Sequence, residues 1–258
     1  MKAVILAAGR GSRLKPLTDE QPKPFVKIVG VHLIESILDN LIKLGITEAV
    51  IAVGYLKEYF YSYLGSAYKT MQIQYVEVPE WETVNNSVTL LKTENAIGDD
   101  GFILVEGDEY FLDAFLPKEY VLDEKNYWVG TKQPETGSLL HADDQNKLVD
   151  LQIVRDPDVA KGMVGWYKSC GVVKIARAYK KLFFERLGEF VNENAENKNQ
   201  YYDIFIRQHI TEFPITLHLL PESVIWGEID TPEDIKKLEV YIEQSKKLSN
   251  YLAENENV

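Results

Sequence analysis

Cysteine is almost absent from the sequence, and long apolar runs are missing. Among the 258 residues Cys170 is the one cysteine, which excludes an internal disulfide framework and a zinc site built from cysteines. A membrane-spanning helix needs about 18 consecutive apolar residues, and the sequence has no such run. The apolar start, Met1 to Leu6, is also too short for a signal peptide, so we expect a cytoplasmic protein without membrane insertion.

Basic residues are outnumbered by acidic ones. The 28 lysines and arginines stand against 40 aspartates and glutamates, which gives a net charge of −12 at pH 7. Non-specific binding of nucleic acid needs a basic surface, so this balance argues against a nucleic-acid partner. Positive charge is concentrated near the N-terminus, at Lys2, Arg10, Arg13, Lys15, Lys23 and Lys27. This concentration indicates a binding site for an anion, and a polyphosphate fits it best.

Strands and helices alternate in the first half of the sequence. Apolar runs predict strands at residues 2–7, 49–53, 73–78 and 101–105, and helical spacing predicts helices at 32–44, 56–64 and 86–95. Such alternation predicts a parallel sheet with right-handed crossovers, and ligands of such sheets bind at the carboxyl ends of the strands.

The second half of the sequence is richer in strands. We expect strands at 127–132, 148–154, 169–175, 215–220 and 224–228, a hairpin tip at 141–147, and helices at 178–190 and from Thr231 to about Leu252. The fold class is therefore α/β, with a Rossmann-like, mixed but mostly parallel sheet flanked by helices and a smaller β-rich lobe. No linker or repeat interrupts the sequence, so we expect a single domain, 1–258, with halves at 1–125 and 126–258.

A glycine-containing loop follows the first predicted strand. Gly9 and Gly11 allow backbone N–H groups to approach a phosphate chain closely. The loop lacks the third glycine of a dinucleotide-binding fingerprint and the Gly-Lys-Ser/Thr of a P-loop. Taken alone, it is equally consistent with a plain tight turn.

The longer string around this loop is more specific. Leu6-Ala7-Ala8-Gly9-x-Gly11-Ser12-Arg13-Leu14-x-Pro16-Leu17-Thr18, followed by Pro22-Lys23-Pro24, resembles the signature of the sugar-nucleotidyltransferase superfamily. The resemblance implies that the loop wraps a nucleoside triphosphate, that Arg13 holds the leaving pyrophosphate and that Lys23 holds the α-phosphate. The residues implied to bind the nucleotide here are Leu6, Ala7, Ala8, Gly9, Gly11 and Ser12.

Two acidic positions match the metal site of the same superfamily. The resemblance implies that Asp108, after a predicted strand, and Asp230, in Gly227-Glu228-Ile229-Asp230-Thr231-Pro232, hold Mg²⁺. Glu106 occupies the first acidic position of the family's Asp-x-Asp motif, where the family has aspartate. We count Glu106 among the residues expected to bind the cofactor, and its exact role stays open. The alternatives are a solvated loop for Asp108 and charge complementarity at a helix N-terminus for Asp230.

A polar segment resembles one branch of this superfamily more closely. Thr83 to Leu90 is similar to the Asn-Asn-x-x-Ser-Leu segment of bacterial phosphocholine cytidylyltransferases that serve surface-polymer pathways. The resemblance implies that Asn85, Asn86 and Thr89 bind the base or the acceptor phosphate. The alternative is a helix N-cap at Asn86.

The acceptor pocket is less well defined by the sequence. A choline cation needs aromatic faces, and Tyr110, Trp128, Trp166 and Tyr167 are candidates for such a cage, although core packing is the commoner explanation of such aromatic residues. Further candidates for contact with the acceptor are Glu80, Arg155, Lys161 and Lys168.

Together these motifs predict an Mg²⁺-dependent cytidylyltransferase. It transfers CMP from CTP to the phosphate or phosphonate of a small non-sugar acceptor and releases pyrophosphate; phosphocholine, phosphoethanolamine, aminoethylphosphonate and phosphoglutamine all remain open. Residues 1–125 then form the nucleotide-binding half and residues 126–258 the acceptor-side half. The alternatives are a sugar-1-phosphate uridylyl- or thymidylyltransferase and a catalytically inactive nucleotide-binding module. The apolar side of the C-terminal helix, which includes Leu248 and Leu252, is consistent with packing on its own domain or on a second subunit, so a homodimer is one of two expectations.

Overall fold

The computed structural model describes residues 1–132 and 134–255, with side chains up to residue 246. Its strands are β1 (Lys2–Ala7), β2 (Lys27–Ile28), β3 (Val31–His32), β4 (Glu48–Val53), β5 (Ala67–Tyr68), β6 (Met71–Glu77), β7 (Phe102–Glu106), β8 (Glu109–Phe111), β9 (Asn126–Thr131), β10 (Gly137–Ala142), β11 (Leu148–Val154), β12 (Trp166–Ile175), β13 (Ile215–Leu219) and β14 (Trp226–Glu228).

The helices lie between these strands. They are α1 (Leu33–Lys43), α2 (Lys57–Leu64), α3 (Asn86–Lys92), α4 (Glu94–Ile97), α5 (Lys118–Leu122), α6 (Pro157–Gly162), α7 (Arg177–Glu193), α8 (Tyr202–Gln208) and α9 (Pro232–Asn255). None of the helices in the described part of the chain combines the length and the apolar character that a membrane crossing requires.

The main sheet is mixed and its centre is parallel. Its order is β11-β10-β12-β7-β1-β4-β6-β5, and β9 pairs with both β12 and β13. Strands β7, β1, β4 and β6 are mutually parallel, whereas β12 runs antiparallel to β7. The expected fold class is confirmed. Because β12 pairs with β7, the two halves of the chain share one sheet.

Apolar side chains cover both faces of this sheet. On one face Ile5 and Ile51 pack against α1 through Ile37 and Leu41. On the other face Val4 and Leu104 lie in a second core, whose aromatic centre is formed by Phe102, Trp128, Phe183, Phe184, Phe205 and Phe213. Strands covered on both faces have continuous apolar sequences, which explains why the parallel strands were predictable.

The C-terminal helix packs back onto the first half of the chain. Leu238 and Ile242 are buried against Leu14, Val26 and other members of a third core cluster. The helix begins with a reciprocal cap, because the Thr231 N–H donates to Asp234 Oδ2 at 2.7 Å and the Asp234 N–H donates to Thr231 Oγ1 at 3.3 Å. The side chains of Leu248 and Leu252 lie outside the described residues, so the homodimer stays a prediction.

Two local expectations need correction, and some short elements were not predicted. The helix predicted at 86–95 ends at Lys92, and a separate short helix follows it. Its N-cap is Asn85 rather than Asn86, because Asn85 Oδ1 accepts the Asn86 N–H at 2.8 Å. The short elements β8 and α8 were not predicted, because three and seven residues are too few to show a clear hydrophobic period.

Truncation of the aromatic core tests this packing. Phe183 is 1% exposed and its ring lies 5.1 to 5.6 Å from those of Phe102, Phe184, Phe205 and Phe213. We expect Phe183→Ala to lower the free energy of unfolding by about 3–5 kcal/mol, because a cavity replaces these contacts. Urea denaturation measures the loss. Leu122→Ala, at a side chain that is 83% exposed, is the control and changes stability by less than about 0.5 kcal/mol.

Candidate active site

The ends of β1 and β7 approach each other closely at Gly107. Its N–H donates to the carbonyl of Leu6 at 3.0 Å, and a Cβ at this position would lie 2.8 Å from that same carbonyl oxygen. Any larger residue would push the two strand ends apart. Glycine therefore allows Asp108 to sit directly beside the loop that follows β1.

The loop after β1 folds back on Lys23. Gly11 has φ of 65° and a Cβ there would lie 2.8 Å from Lys23 Cβ, so glycine suits both its conformation and its surroundings. Thr18 Oγ1 donates to the Gly11 carbonyl at 2.9 Å, and the Tyr55 hydroxyl donates to the Thr18 carbonyl at 2.9 Å. Side-chain hydrogen bonds thus hold the loop in one shape.

A cavity of about 270 Å³ opens over this loop, and we call it the loop cavity. It gathers most of the residues that the N-terminal motif singled out, and it is lined by Leu6, Ala7, Gly9, Gly11, Ser12, Arg13, Lys23, Pro24, Gly107, Asp108 and Asp230. Ala8 is not part of this lining and packs instead with Ala52 and Val78. The binding roles of these residues stay predictions.

Lys23 lies between the two predicted metal ligands. Its Nζ is 2.7 Å from Asp108 Oδ2 and 2.7 Å from Asp230 Oδ1, and an Arg13 guanidinium nitrogen is 2.8 Å from the same Asp230 oxygen. Burial would lower the pKa of Lys23, but the two carboxylates reverse that effect and raise it above its usual range. Burial would raise the pKa of Asp230, but Lys23 and Arg13 hold it below its usual value.

The acids around Lys23 also fit a divalent cation. Carboxylate oxygens of Asp108, Glu228 and Asp230 lie within 4.8 Å of one another. Asp108 Oδ1 is buried and has no hydrogen-bond partner among the described residues. A buried oxygen without a partner beside other carboxylates offers what a hard cation needs, because such cations prefer oxygen ligands. The donor set is therefore compatible with a bound metal.

A second cavity of about 410 Å³ adjoins the first, and we call it the side cavity. Arg13, Asp108 and Asp230 line both cavities. The side cavity is further lined by Glu106, Glu109, Thr136, Gly137, Ser138, Ile153, Val154, Arg155, Lys168, Ser169, Gly171, Tyr201, Asp203, Glu228, Thr231 and Asp234. Of the side chains expected to touch an acceptor, it thus contains Arg155 and Lys168.

The remaining acceptor candidates lie elsewhere. Lys161 pairs with Asp158 on the exposed side of α6, and Glu80 pairs with Lys92.

The aromatic cage predicted for a choline group does not form in the described part of the chain. Tyr110 and Trp128 are buried in two different core clusters, and Trp166 stacks on His141 at 4.9 Å. Tyr167 packs against the same cluster as Trp128.

Two buried carboxyl groups, Glu109 and Asp203, and two half-buried ones, Glu106 and Glu228, lie around the side cavity. The Tyr202 hydroxyl donates to Glu106 at 2.8 Å, Trp226 Nε1 donates to Glu109 at 2.6 Å, and Lys168 Nζ lies 2.7 Å from Glu228. The fourth, Asp203, accepts the Ser138 hydroxyl at 2.7 Å. Burial is the main cause that raises the pKa of each of these groups. Burial likewise works against the charge of Lys168, but Glu228 outweighs it and the pKa of Lys168 rises to about 12.

Asp203 was missed by the sequence analysis. It lies in α8, a helix that was not predicted. A detectable signal was its place in Tyr201-Tyr202-Asp203-Ile204-Phe205, an acid inside an otherwise apolar and aromatic run.

The predicted base-binding amides make structural contacts. Asn85 Nδ2 donates to the Asn199 carbonyl at 3.0 Å, and Asn86 Oδ1 accepts the Tyr202 N–H at 2.8 Å. Thr89 is buried within α3, with its hydroxyl 3.4 Å from the Asn85 carbonyl. These bonds attach α3 to the segment before α8, and a ligand role for the three residues stays a prediction.

The sequence of the first half of the chain indicates the class of protein. Residues 2–126, just under half of the chain, match the family model described as nucleotidyl transferase. The resemblance predicted from the N-terminal motif is confirmed, and the chain is an enzyme of the nucleotidyltransferase type.

Relatives extend the similarity to nearly the whole chain. The choline-phosphate cytidylyltransferase of Streptococcus pneumoniae is 29% identical over 244 residues, covering 93% of this chain and 97% of the relative. The CMP-5'-(3-aminopropyl)phosphonate synthase of Streptomyces rubellomurinus is 27% identical over 237 residues, which are 91% of this chain but 37% of that longer protein.

A solved structure shares the fold. The CTP:phosphocholine cytidylyltransferase of Streptococcus pneumoniae superposes with a TM-score of 0.77 at 24% identity, covering 93% of this chain and 98% of the other.

The raised pKa of Asp203 predicts a pH-dependent difference in stability. A carboxyl whose pKa is higher in the folded state than its ordinary 3.8 stabilises the fold at low pH, and this contribution is lost as the pH rises through the folded-state value. Relative to Asp203→Asn, the wild type is therefore expected to lose stability as the pH rises above 3.8 toward the higher folded-state pKa of Asp203. At most, the free energy of unfolding of the wild type falls by about 1.4 kcal/mol per pH unit relative to that of Asp203→Asn. Urea denaturation at several pH values measures it.

The exposed Asp158 provides the charge-matched control for this experiment. Asp158→Asn is expected to follow the wild type across the pH range. If Asp203→Asn also shows the wild-type slope, Asp203 does not titrate with a raised pKa.

Proposed function

We propose that this chain transfers CMP from CTP to a phosphate or phosphonate oxygen of a small non-sugar acceptor and releases pyrophosphate. The observation that carries the proposal is that Arg13, Asp108 and Asp230 line both the loop cavity and the side cavity. Transfer between two ligands requires a place that both can reach, and these three side chains mark such a place.

The loop cavity suits the triphosphate. Gly9 and Gly11 present backbone, and Arg13 and Lys23 present positive charge, on the same wall. Fixed cations stabilise the negative charge that spreads over a transferred phosphoryl group and a leaving pyrophosphate. Because the protein has a net charge of −12, this local positive charge is needed for an anionic substrate to bind.

We propose that Asp108 and Asp230 hold Mg²⁺, with Glu228 beside them. When bound, this ion neutralises phosphate oxygens and orients them. Asp108 Oδ1 has no hydrogen-bond partner in the part of the chain that the structure describes, which supports this assignment. Lys23, which contacts both acids, keeps their carboxylates together at the edge of the loop cavity.

The chemistry needs little from the protein beyond position and charge. An acceptor oxygen attacks the α-phosphorus of CTP, the new P–O bond forms, and the bond from the α-phosphorus to the bridging oxygen breaks as pyrophosphate leaves. The attacking oxygen is already anionic near pH 7, so no general base has to remove a proton. Alignment of the two ligands across Arg13 supplies the geometry.

Both halves of the chain contribute residues to the proposed reaction. Residues 1–125 supply Arg13, Lys23 and Asp108, and residues 126–258 supply Asp230 and most of the side cavity, so we treat them as one domain. The names of the two relatives, which both specify a cytidylyl or CMP product and a phosphocholine or phosphonate acceptor, support CTP and a non-sugar acceptor.

A matrix of substrates tests the proposed reaction. Pyrophosphate release is measured with Mg²⁺ for CTP, UTP, dTTP, ATP and GTP against phosphocholine, phosphoethanolamine, 2-aminoethylphosphonate, phosphoglutamine and several sugar 1-phosphates. We expect turnover with CTP and a non-sugar acceptor. Turnover confined to a sugar 1-phosphate with UTP or dTTP would establish the alternative uridylyl- or thymidylyltransferase instead.

Substitutions at the shared wall test the assigned residues. Asp108→Asn, Asp230→Asn and Lys23→Met are each expected to lower kcat by at least about 10²–10³-fold, because each removes charge that the transition state requires. Asp39→Asn and Lys57→Met, which break exposed ion pairs, are the matched controls and keep wild-type kcat. Thermal unfolding verifies that each variant is folded, and near-normal turnover in a folded variant removes that residue from the mechanism.

A further inference from the structure

The side cavity contains more carboxyl groups than lysine and arginine side chains that pair with them in the described part of the chain. Asp230 pairs with Arg13 and Lys23, and Glu228 pairs with Lys168. Of the other acids in the wall, Glu109 accepts Trp226 Nε1, whereas Glu106 and Asp203 accept hydroxyl groups. Within the described residues, no lysine or arginine nitrogen lies within 4.0 Å of either group.

Asp203 is the more deeply buried of these two acids. Its residue is 3% exposed, and its Oδ1 accepts the Ser138 hydroxyl at 2.7 Å. Glu106 accepts the Tyr202 hydroxyl at 2.8 Å. Tyr202 directly precedes Asp203 in α8, so this helix contributes one of the two carboxylates and the hydrogen-bond donor of the other. A buried carboxylate without a cationic partner is costly, and a cation brought by a ligand offsets that cost.

We infer that the acceptor carries a protonated primary amine, which pairs with Asp203 and Glu106 in the side cavity. This inference rests on the proposed function and specifies its acceptor. The phosphate or phosphonate of the same molecule lies toward Arg13, where the two cavities meet. The acceptor is thus a small zwitterion that matches acids at one end of the cavity and cations at the other.

The chemistry of the wall selects a primary over a quaternary ammonium. A primary ammonium donates up to three hydrogen bonds, and the carboxylates of Asp203 and Glu106 accept them. A trimethylammonium group donates none and binds best against aromatic faces. Tyr201 is the aromatic residue of this cavity in the described part of the chain, and the Arg155 guanidinium already lies 6.0 Å from its ring centroid.

The same wall disfavours a sugar 1-phosphate. A sugar ring brings hydroxyl groups but no positive charge, so Asp203 and Glu106 would stay buried beside an additional anion. The name of one relative, a CMP-5'-(3-aminopropyl)phosphonate synthase, also specifies a primary amine on an alkyl phosphonate.

Matched acceptor pairs test the inference on the unmodified enzyme. 2-Aminoethylphosphonate is compared with propylphosphonate, in which a methyl group replaces the ammonium, and phosphoethanolamine is compared with phosphocholine. We expect kcat/KM to be about 10- to 100-fold higher for the primary amine of each pair, as a charge-assisted hydrogen bond predicts. Equal values within either pair would overturn the inference.

The variant Asp203→Asn tests the residue itself. It keeps the shape of the side chain and removes its charge. We expect kcat/KM for 2-aminoethylphosphonate to fall about 10- to 100-fold, while that for propylphosphonate and the KM for CTP stay within about threefold of the wild type. Asp158→Asn, outside the cavity, is the charge-matched control. A uniform loss for both phosphonates assigns Asp203 a structural role and contradicts the inference.

Two outcomes separate this inference from the proposed function. If no acceptor of either pair and no other acceptor supports release of pyrophosphate from CTP, the proposed function fails and the inference fails with it. If propylphosphonate or phosphocholine reacts as well as its amine partner, CMP transfer stands and the ammonium subsite is wrong. Should Asp203→Asn not fold, the acceptor pairs on the wild type decide the question by themselves.

Discussion

The contact of Lys23 with Asp108 and Asp230 is the constraint on which the site depends. The three residues are far apart in sequence, at separations of 85 and 207 positions, and each ion pair measures 2.7 Å. The lysine is largely buried, so loss of either acid would leave charge poorly compensated. This contact requires the loop after β1, the end of β7 and the start of α9 to meet at one edge of the sheet.

The surrounding fold delivers these three segments to that edge. Parallel β1 and β7 end side by side, and the close approach at Gly107 keeps Asp108 next to the loop. The short antiparallel pair of β8 and β14 then brings the chain to Asp230, and α9 packs through Leu238 on the cluster that contains Leu14. Packing at a distance from the candidate site thus fixes the distances between Lys23, Asp108 and Asp230.

Buried acids are the energetic exception in this molecule. Most buried side chains are apolar, yet Glu106, Glu109, Asp203 and Glu228 lie around one cavity, where burial raises the pKa of each. Such an arrangement opposes stability unless a partner compensates the charge, and departures of this kind concentrate at functional sites. Lys168 compensates Glu228, whereas Asp203 and Glu106 await a ligand in the proposal above.

The parallel core, the glycine loop and the acids at strand ends could be predicted from the sequence, because their signals are local: continuous apolar runs, glycine spacing and residues that follow a strand. The walls of the side cavity depend instead on contacts between distant segments. Asp203 becomes a cavity residue through the position of α8, and Trp128 becomes a core residue because the chain folds it inward. Asn85 and Asn86 likewise bond to a segment more than 100 residues away. Contacts between distant segments produce no hydrophobic periodicity in the local sequence, so they could be identified only in the structure.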